Sequence, residues 1–267
     1  EERAALAAYQ QAMDAIDRGE ATGGEALRAL VDRFPDSAAA DKAVKFLATH
    51  ANLPEELVEL VDWLDGVSRR HQRFTVADNA LWWAAFLRAR GLADLAGARA
   101  DLRRLVETFP DSPLADDALW ALAGLHARQG QWAEAEAACQ ALVDLRNEAS
   151  LLVGSYRSPL LDDAALQIGA LRYHGRRDPK AAVWAYQAFL ADFPTSTLRD
   201  DAWLALAHAQ IAAGDVAAGR ASLQALLREQ PESRHGAEAK ALLAAESPRP
   251  WPMDAARLAP PPLAEAP

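Results

Sequence analysis

The chain has 267 residues, of which 51% are hydrophobic and 25% are charged, a composition typical of a folded protein rather than a disordered one. Its 28 Lys and Arg against 38 Asp and Glu give a formal net charge of −10, which argues against a nucleic-acid partner because phosphate binding needs clustered cations. The single cysteine, Cys139, excludes an intramolecular disulfide and a Cys-rich metal site, and no apolar run approaches the ~20 residues that a membrane span requires.

A seven-residue motif recurs along the chain and predicts a repeat. Its clearest copy reads Ser-Pro-Leu-Ala-Asp-Asp-Ala, and aligned positions recur every 37 or 38 residues, with one longer interval of 46. Close copies begin at Ser112, Ser158 and Ser196, and weaker copies begin at Ser37, Thr75 and Ser233. Such a period indicates one supersecondary unit that is stacked several times.

Each unit is predicted to be a pair of helices, beginning with a pair near residues 3–18 and 22–33. The Ser of the motif caps the first helix, Pro113 or Pro159 occupies its first helical position, and the following acidic residues lie near the positive end of the helix dipole. A second amphipathic helix follows, as in residues 132–145 and 216–227, and it ends at a proline. Between the two helices we expect a left-handed glycine, at Gly19, Gly91, Gly130, Gly175 and Gly214.

These units resemble the tetratricopeptide repeat, in which small residues occupy two positions of a helix pair and a glycine lies between the helices. The residues that fit are Leu122-Ala123, Gly130 and Ala135 in one unit and Leu206-Ala207, Gly214 and Gly219 in another. The resemblance covers about residues 1–246, although the period exceeds the usual ~34 residues. It implies an all-α, right-handed superhelical solenoid of about six helix pairs, closed by a capping helix over 237–245.

In this family the first helices line a concave face that binds partner proteins. The aromatic residues and acidic rim of that face suit a protein or peptide ligand, so we expect a non-catalytic protein-binding scaffold. Carried over by register, the face comprises Asn79, Trp82, Phe86, Arg90, Asp117, Trp120, Arg128, Asp163, Tyr173, His174, Asp201, Leu204 and His208.

The linker Phe109-Pro-Asp-Ser-Pro-Leu-Ala-Asp-Asp-Ala-Leu119 resembles those of bacterial cell-envelope members of the class. These include outer-membrane assembly lipoproteins, the cell-division coordinator associated with the Tol-Pal system, and the superhelical part of soluble lytic transglycosylases. The resemblance implies a periplasmic or envelope-associated protein, with the cytoplasm as the alternative, and a segment before Glu1 could supply membrane association. Two other functions stay open: the accessory superhelix of a peptidoglycan-cleaving enzyme, or a structural subunit that binds through its other faces.

No catalytic or metal-binding motif stands out. The six histidines are scattered and none has the spacing of a metal site. The repeated Asp pairs are interpreted as partners of helix dipoles rather than as catalytic carboxylates, because they recur beside helix starts. We therefore expect no enzyme activity, no cofactor and no metal, and a buried, unreactive Cys139.

Two segments interrupt the repeat. Residues 146–157 are apolar for a surface loop, so we expect them to pack back on neighbouring helices, with a partner-contacting loop as the alternative. Residues 247–267 contain seven of the fifteen prolines and predict an extended tail. This tail is either solvated or docked through Trp251 and Leu258, on the solenoid or on a partner.

Most tryptophans recur within the repeats, which favours packing of one unit on the next. Trp82 and Trp83 are adjacent, and neighbouring side chains on a helix point about 100° apart. One of these two indoles is therefore expected near the surface.

Overall fold

The computed structural model describes residues 1–149 and 158–258, with the backbone alone for residues 146–149. This part of the chain contains thirteen α-helices and no strand, and none of its helices is long and apolar enough to cross a membrane. The helices are α1 (Glu2–Asp17), α2 (Thr22–Arg33), α3 (Ala38–His50), α4 (Pro54–Arg70), α5 (Val76–Arg90), α6 (Leu95–Thr108), α7 (Ala115–Arg128), α8 (Trp132–Ala149), α9 (Leu161–Ala170), α10 (Pro179–Asp192), α11 (Arg199–Ala212), α12 (Val216–Glu229) and α13 (Gly236–Ala244). A π-helical turn (Leu171–Gly175) continues α9, and a 3₁₀ turn (Ala255–Arg257) lies in the tail.

The helices form six consecutive pairs followed by α13. Within a pair the two helices pack together, as shown for α1 with α2, α5 with α6, α9 with α10 and α11 with α12, and α3 also touches the first helices α1 and α5 of the neighbouring pairs. Packing against neighbours in sequence is the mark of a solenoid. The predicted all-α solenoid of six pairs with a final helix is thus confirmed for the described residues. The predicted loop at 146–157 lies outside them, apart from the backbone of 146–149, which belongs to α8.

Two compact units divide the chain, residues 1–121 and residues 122–258. In the second unit, one apolar cluster joins the π-helical turn to α10 and α11 around Tyr173 and Tyr186. Another joins α11 to α12 and α13 around Leu204 and Leu226. The tail residue Trp251 packs against both clusters, so the start of the tail belongs to this unit.

Trp82 and Trp83 are both core residues, each with 1% of its surface exposed, so the expectation that one lies near the surface is wrong. The reason is that α5 packs against α3, α4 and α6 at once. A helix that is covered on all sides buries adjacent residues even though they point in different directions.

The repeated Ser caps its helix as expected at Ser37, whose Oγ accepts the Ala40 amide at 3.1 Å. That expectation is wrong for Ser158, Ser196 and Ser233, which lie two residues before the N-cap of their helices.

The Ser of several copies instead links consecutive repeats. In the later repeats the Ser Oγ accepts a hydrogen bond from the backbone amide two residues further along the chain. The Leu198 amide, for example, donates to Ser196 Oγ at 3.1 Å. The same hydroxyl donates a hydrogen bond to the first Asp of the preceding repeat. The distances are 2.5 Å from Ser112 to Asp78, 2.7 Å from Ser196 to Asp162 and 2.7 Å from Ser233 to Asp200. This ladder accounts for the Ser and the first Asp of the motif as a link between repeats.

Two predicted helix ends need correction. Pro113 and Pro159 precede their helices by two residues instead of occupying the first helical position, because the Ser motif forms a separate turn. Gly91 and Gly175 lack positive φ; a Cβ on either would lie 2.8 Å from a packed side chain, so close contact is what requires glycine there. The left-handed residue then comes two positions later, at Ala93 and Arg177, both with φ of 53°. The remaining predicted glycines do have positive φ: Gly19, Gly130 and Gly214.

Candidate functional site

In residues 1–121 the predicted partner face is accessible only in part. Trp82 and Phe86 are 1% and 8% exposed, so their side chains belong to the core and are not offered to a partner. Asn79 is half-buried, and its Nδ2 donates to Asp41 Oδ1 of the preceding first helix at 3.0 Å. Arg90 is exposed, with its guanidinium 5.1 Å from the Phe86 ring centroid.

The acidic positions at the starts of the first helices differ in their surroundings. Asp117 and Trp120 are half-buried in α7, and burial, together with the charge of Asp116, raises the pKa of Asp117 to about 6. Asp163 is exposed, as is Arg128 at the end of α7. Although much of the Asp163 surface is in solvent, partial desolvation by the surrounding protein and the charge of the adjacent Asp162 also raise its pKa.

In residues 122–258 the chain's own tail covers part of the predicted face. Tyr173, His174 and His208, which sequence register placed on that face, all contact the tail segment 250–258. Leu204 lies beneath, fully buried in the cluster between α11 and α13, so it is a core residue and not a surface contact. The structure thus brings three of the predicted residues together around one extended segment.

Trp251 lies at the centre of this contact. Its indole stacks on the His208 imidazole, with 3.9 Å between ring centroids and 17° between planes, and its Nε1 donates to Glu238 Oε1 at 2.8 Å. Its backbone amide donates to His208 Nδ1 at 3.0 Å, and its carbonyl accepts from the Tyr173 hydroxyl at 2.7 Å. Every polar group of Trp251 is therefore hydrogen-bonded. We call the receiving residues Tyr173, His174, His208 and Glu238 the Trp251 site.

The rest of the tail segment makes weaker contacts. The Asp254 amide points to His174 Nδ1 at 3.4 Å, and the Arg257 guanidinium lies 5.8 Å from the Trp251 ring centroid. Met253 packs against the cluster around Tyr173, and Leu258 is 8% exposed. The predicted docking of the tail through Trp251 is thus present within the chain itself, and Leu258 is buried.

Two local features position this site. The π-helical turn at Leu171–Gly175 carries Tyr173 and His174, and π turns are rare elements that often occur at functional sites. At the end of α13, the Arg220 guanidinium donates to the carbonyls of Leu243 and Ala245, each at 2.6 Å. These bonds fix the point from which the tail departs.

The histidines of the site act as neutral hydrogen-bonding groups. Because Nδ1 of His208 accepts the Trp251 amide, its proton lies on Nε2, which donates to Glu238 Oε1 at 3.1 Å. Burial lowers the pKa of His208 to about 4, against the opposing effect of Glu238 and with added repulsion from Arg257 and His174. Burial and Arg257 lower the pKa of His174 in the same direction. The site therefore binds through stacking and hydrogen bonds rather than through net charge.

A second cluster lies at the start of α11. Asp200, Asp201 and His235 place three potential metal-ligand atoms within 4.8 Å of one another, a grouping that sequence spacing did not reveal. Asp201 Oδ1 already contacts Arg234 at 2.6 Å and His235 Nε2 at 2.8 Å, and Ser233 donates to Asp200. These bonds account for the cluster as a junction between repeats, with Arg234 supplying the positive charge.

One comparison with known proteins, a match to a family model, agrees with the helix-pair architecture. The family model of the tetratricopeptide repeat matches two segments, residues 79–112 and 201–233, which correspond to α5 with α6 and α11 with α12. No curated protein matches the sequence. Among solved structures, a tetratricopeptide repeat protein from Parabacteroides merdae is similar over 85% of this chain and 80% of that chain, with 15% identity and a TM-score of 0.43. These two segments match the tetratricopeptide repeat, a class of unit that generally mediates protein–protein interaction and is typically non-catalytic.

Proposed function

We propose that this protein is a non-catalytic scaffold of the bacterial cell envelope that binds partner proteins through the first-helix face of its repeats. One observation carries the proposal: in residues 122–258 this face already binds an extended segment through the Trp251 site. A single aromatic anchor in a mostly buried pocket, with backbone hydrogen bonds beside it, is how many peptide-binding surfaces obtain their affinity.

Partner capture with the full chain as bait tests the binding face. Extracts of soluble and envelope fractions of the source organism are applied to wild type, to Trp251→Ala, which empties the site, and to the double variant Trp251→Ala/His208→Ala. We expect one partner to be enriched by Trp251→Ala over wild type and lost with the double variant. A double variant that is folded by circular dichroism and still captures that partner would show that the face is not the binding site.

Trp184 favours a second candidate, a structural subunit that binds through its second helices. This residue of α10 is 73% exposed, unusual for so large an apolar side chain. Trp184→Ala is therefore included in the same capture experiment. Capture that depends on Trp184 and ignores the Trp251 site would establish this alternative.

The envelope location is supported by the linker at residues 109–119, whose pattern resembles that of envelope members of the class. Osmotic-shock fractionation of the source organism, followed by immunodetection, tests it. Release with periplasmic markers is the expected result. Recovery with cytoplasmic markers alone would refute the location and leave the binding proposal standing.

A further inference from the structure

We propose that the Trp251 site is a receptor for an extended segment of a partner protein that carries a tryptophan followed by a proline, with residues 250–258 as its internal competitor. This inference rests on the proposed function, because it names the chemistry by which the partner would be recognised. The contacts of Trp251, the prolines beside it and the limited anchoring of the tail support it in turn.

The contacts of Trp251 recognise both a backbone and a particular side chain. His208 Nδ1 accepts the backbone amide of Trp251, and the Tyr173 hydroxyl donates to its backbone carbonyl. Any residue in the same extended conformation would present these two backbone groups. Glu238 accepts the indole Nε1–H at 2.8 Å, and phenylalanine has no donor to replace it. Together with the stacking on His208, this bond makes the site selective for tryptophan.

The flanking prolines supply the conformation that the site requires. Pro252 follows Trp251, and a proline restricts the residue before it to extended backbone. Pro250 limits the chain on the other side. A segment that is extended before it binds loses less conformational entropy, so a Trp-Pro sequence is the ligand that this geometry favours.

The hydrogen bonds of the tail to the repeats are concentrated at Trp251, which makes the tail replaceable, while Met253 adds an apolar contact and Leu258 is buried. Beyond Trp251, the Asp254 amide lies 3.4 Å from its acceptor on His174, and the side chains of Asp254 and Arg257 are exposed. A partner segment that matches Trp251 and its backbone reproduces the main hydrogen bonds of the tail. Because the tail is tethered, its effective concentration at the site is on the order of millimolar. A partner segment must compete with the tail at this effective concentration in order to bind.

A fluorescent peptide with the sequence of residues 247–258 provides the probe, and fluorescence anisotropy measures its binding. The receptors are the full chain as wild type, as Trp251→Ala and as Trp251→Ala/Glu238→Ala. We expect saturable binding to Trp251→Ala, binding to wild type that is at least about tenfold weaker because of the tethered competitor, and loss with the double variant. Control peptides carry Ala or Phe in place of the tryptophan, and the Ala peptide should not bind.

Several outcomes would overturn the inference. One is equal binding of the native and Ala peptides to a folded Trp251→Ala chain, and another is equal binding of the native peptide to wild type and Trp251→Ala. If Trp251→Ala does not fold, hydrogen exchange of the Trp251 amide in the wild-type chain replaces it. Excess peptide should then accelerate that exchange, and unchanged exchange would count against the proposal.

The source of the ligand and the scaffold proposal are tested separately. A wild-type chain that is dimeric by light scattering, and monomeric as Trp251→Ala, would assign the site to a second copy and overturn the partner segment. A Trp251→Ala chain that captures a partner at this face but ignores the peptide would refute this inference alone. Peptide binding without any dependence of partner capture on this face would refute the proposed scaffold function alone.

Discussion

Trp82 of α5 lies in the core with 1% of its surface exposed, whereas Trp184 of α10 is 73% exposed. Trp82→Ala should therefore lower the free energy of unfolding by about 3–5 kcal/mol, through lost burial and a residual cavity. Trp184→Ala is the matched control and should change it by less than about 0.5 kcal/mol. Urea unfolding followed by circular dichroism measures both, and similar losses for the two variants would contradict the burial difference.

Protonation of His208 opposes docking of the tail, because the second proton would sit on Nδ1, where the Trp251 amide donates. Burial lowers the pKa of His208 to about 4 in the docked state, while a free imidazole titrates near ~6.5. Between these two pKa values the undocked state binds more protons than the docked state. Docking of the tail is therefore most stable above the pKa of the free imidazole, and it weakens as the pH falls towards the pKa of the docked His208. His174, whose pKa is also lowered, acts with the same sign; Glu238 opposes the effect and Arg257 adds to it.

Protection factors of the Trp251 amide against hydrogen exchange should consequently fall as the solution is acidified from neutrality. The measurement is local because Asp41, Asp101 and Asp117, with pKa values raised to about 6 mainly by burial, affect global stability in the opposite direction. His208→Asn keeps an acceptor without a titrating ring and should flatten the profile. A pH-independent protection factor in the wild-type chain would refute the assignment.

Cys139 is fully buried in α8, as expected, and burial raises the pKa of its thiol to about 12. Since the thiolate is the reactive form, a thiol-specific reagent should label the native chain very slowly at pH 8 and label the unfolded chain at once. Rapid native labelling would show that α8 opens in solution.

At the scale of the helices, the Ser–Asp bonds between repeats contribute to stability at every junction where they form. Ser196→Ala removes both the bond to Asp162 and the acceptor for the Leu198 amide. It should lower the free energy of unfolding by about 1–2 kcal/mol. The exposed neighbour Thr195 is the control, and Thr195→Ala should stay within about 0.5 kcal/mol of wild type. Equal effects of the two substitutions would show that the Ser–Asp bonds do not contribute to stability.

For the molecule as a whole, repeat packing predicts that perturbations stay local, because stability is a sum of repeats and their nearest interfaces. Trp251→Ala should increase hydrogen exchange in the tail, α11 and α13, which share the apolar cluster around Leu204. It should leave α1 to α6 unchanged when the exchange is read by mass spectrometry. A uniform increase along the chain would indicate global coupling and contradict this picture.

The sequence by itself determined the repeat, the helix pairs and the final helix, because these follow from local signals: motif spacing, helix-start residues and prolines. Its register also placed Tyr173, His174 and His208 on a common face. The tertiary structure alone decided that Trp82 and Leu204 are core residues and that Gly91 and Gly175 serve close packing rather than left-handed turns. It also decided that the tail binds that face, through hydrogen bonds of Trp251 with His208 and Tyr173, which lie 43 and 78 residues earlier in the chain. Such contacts depend on how distant surfaces meet, and no local pattern encodes that.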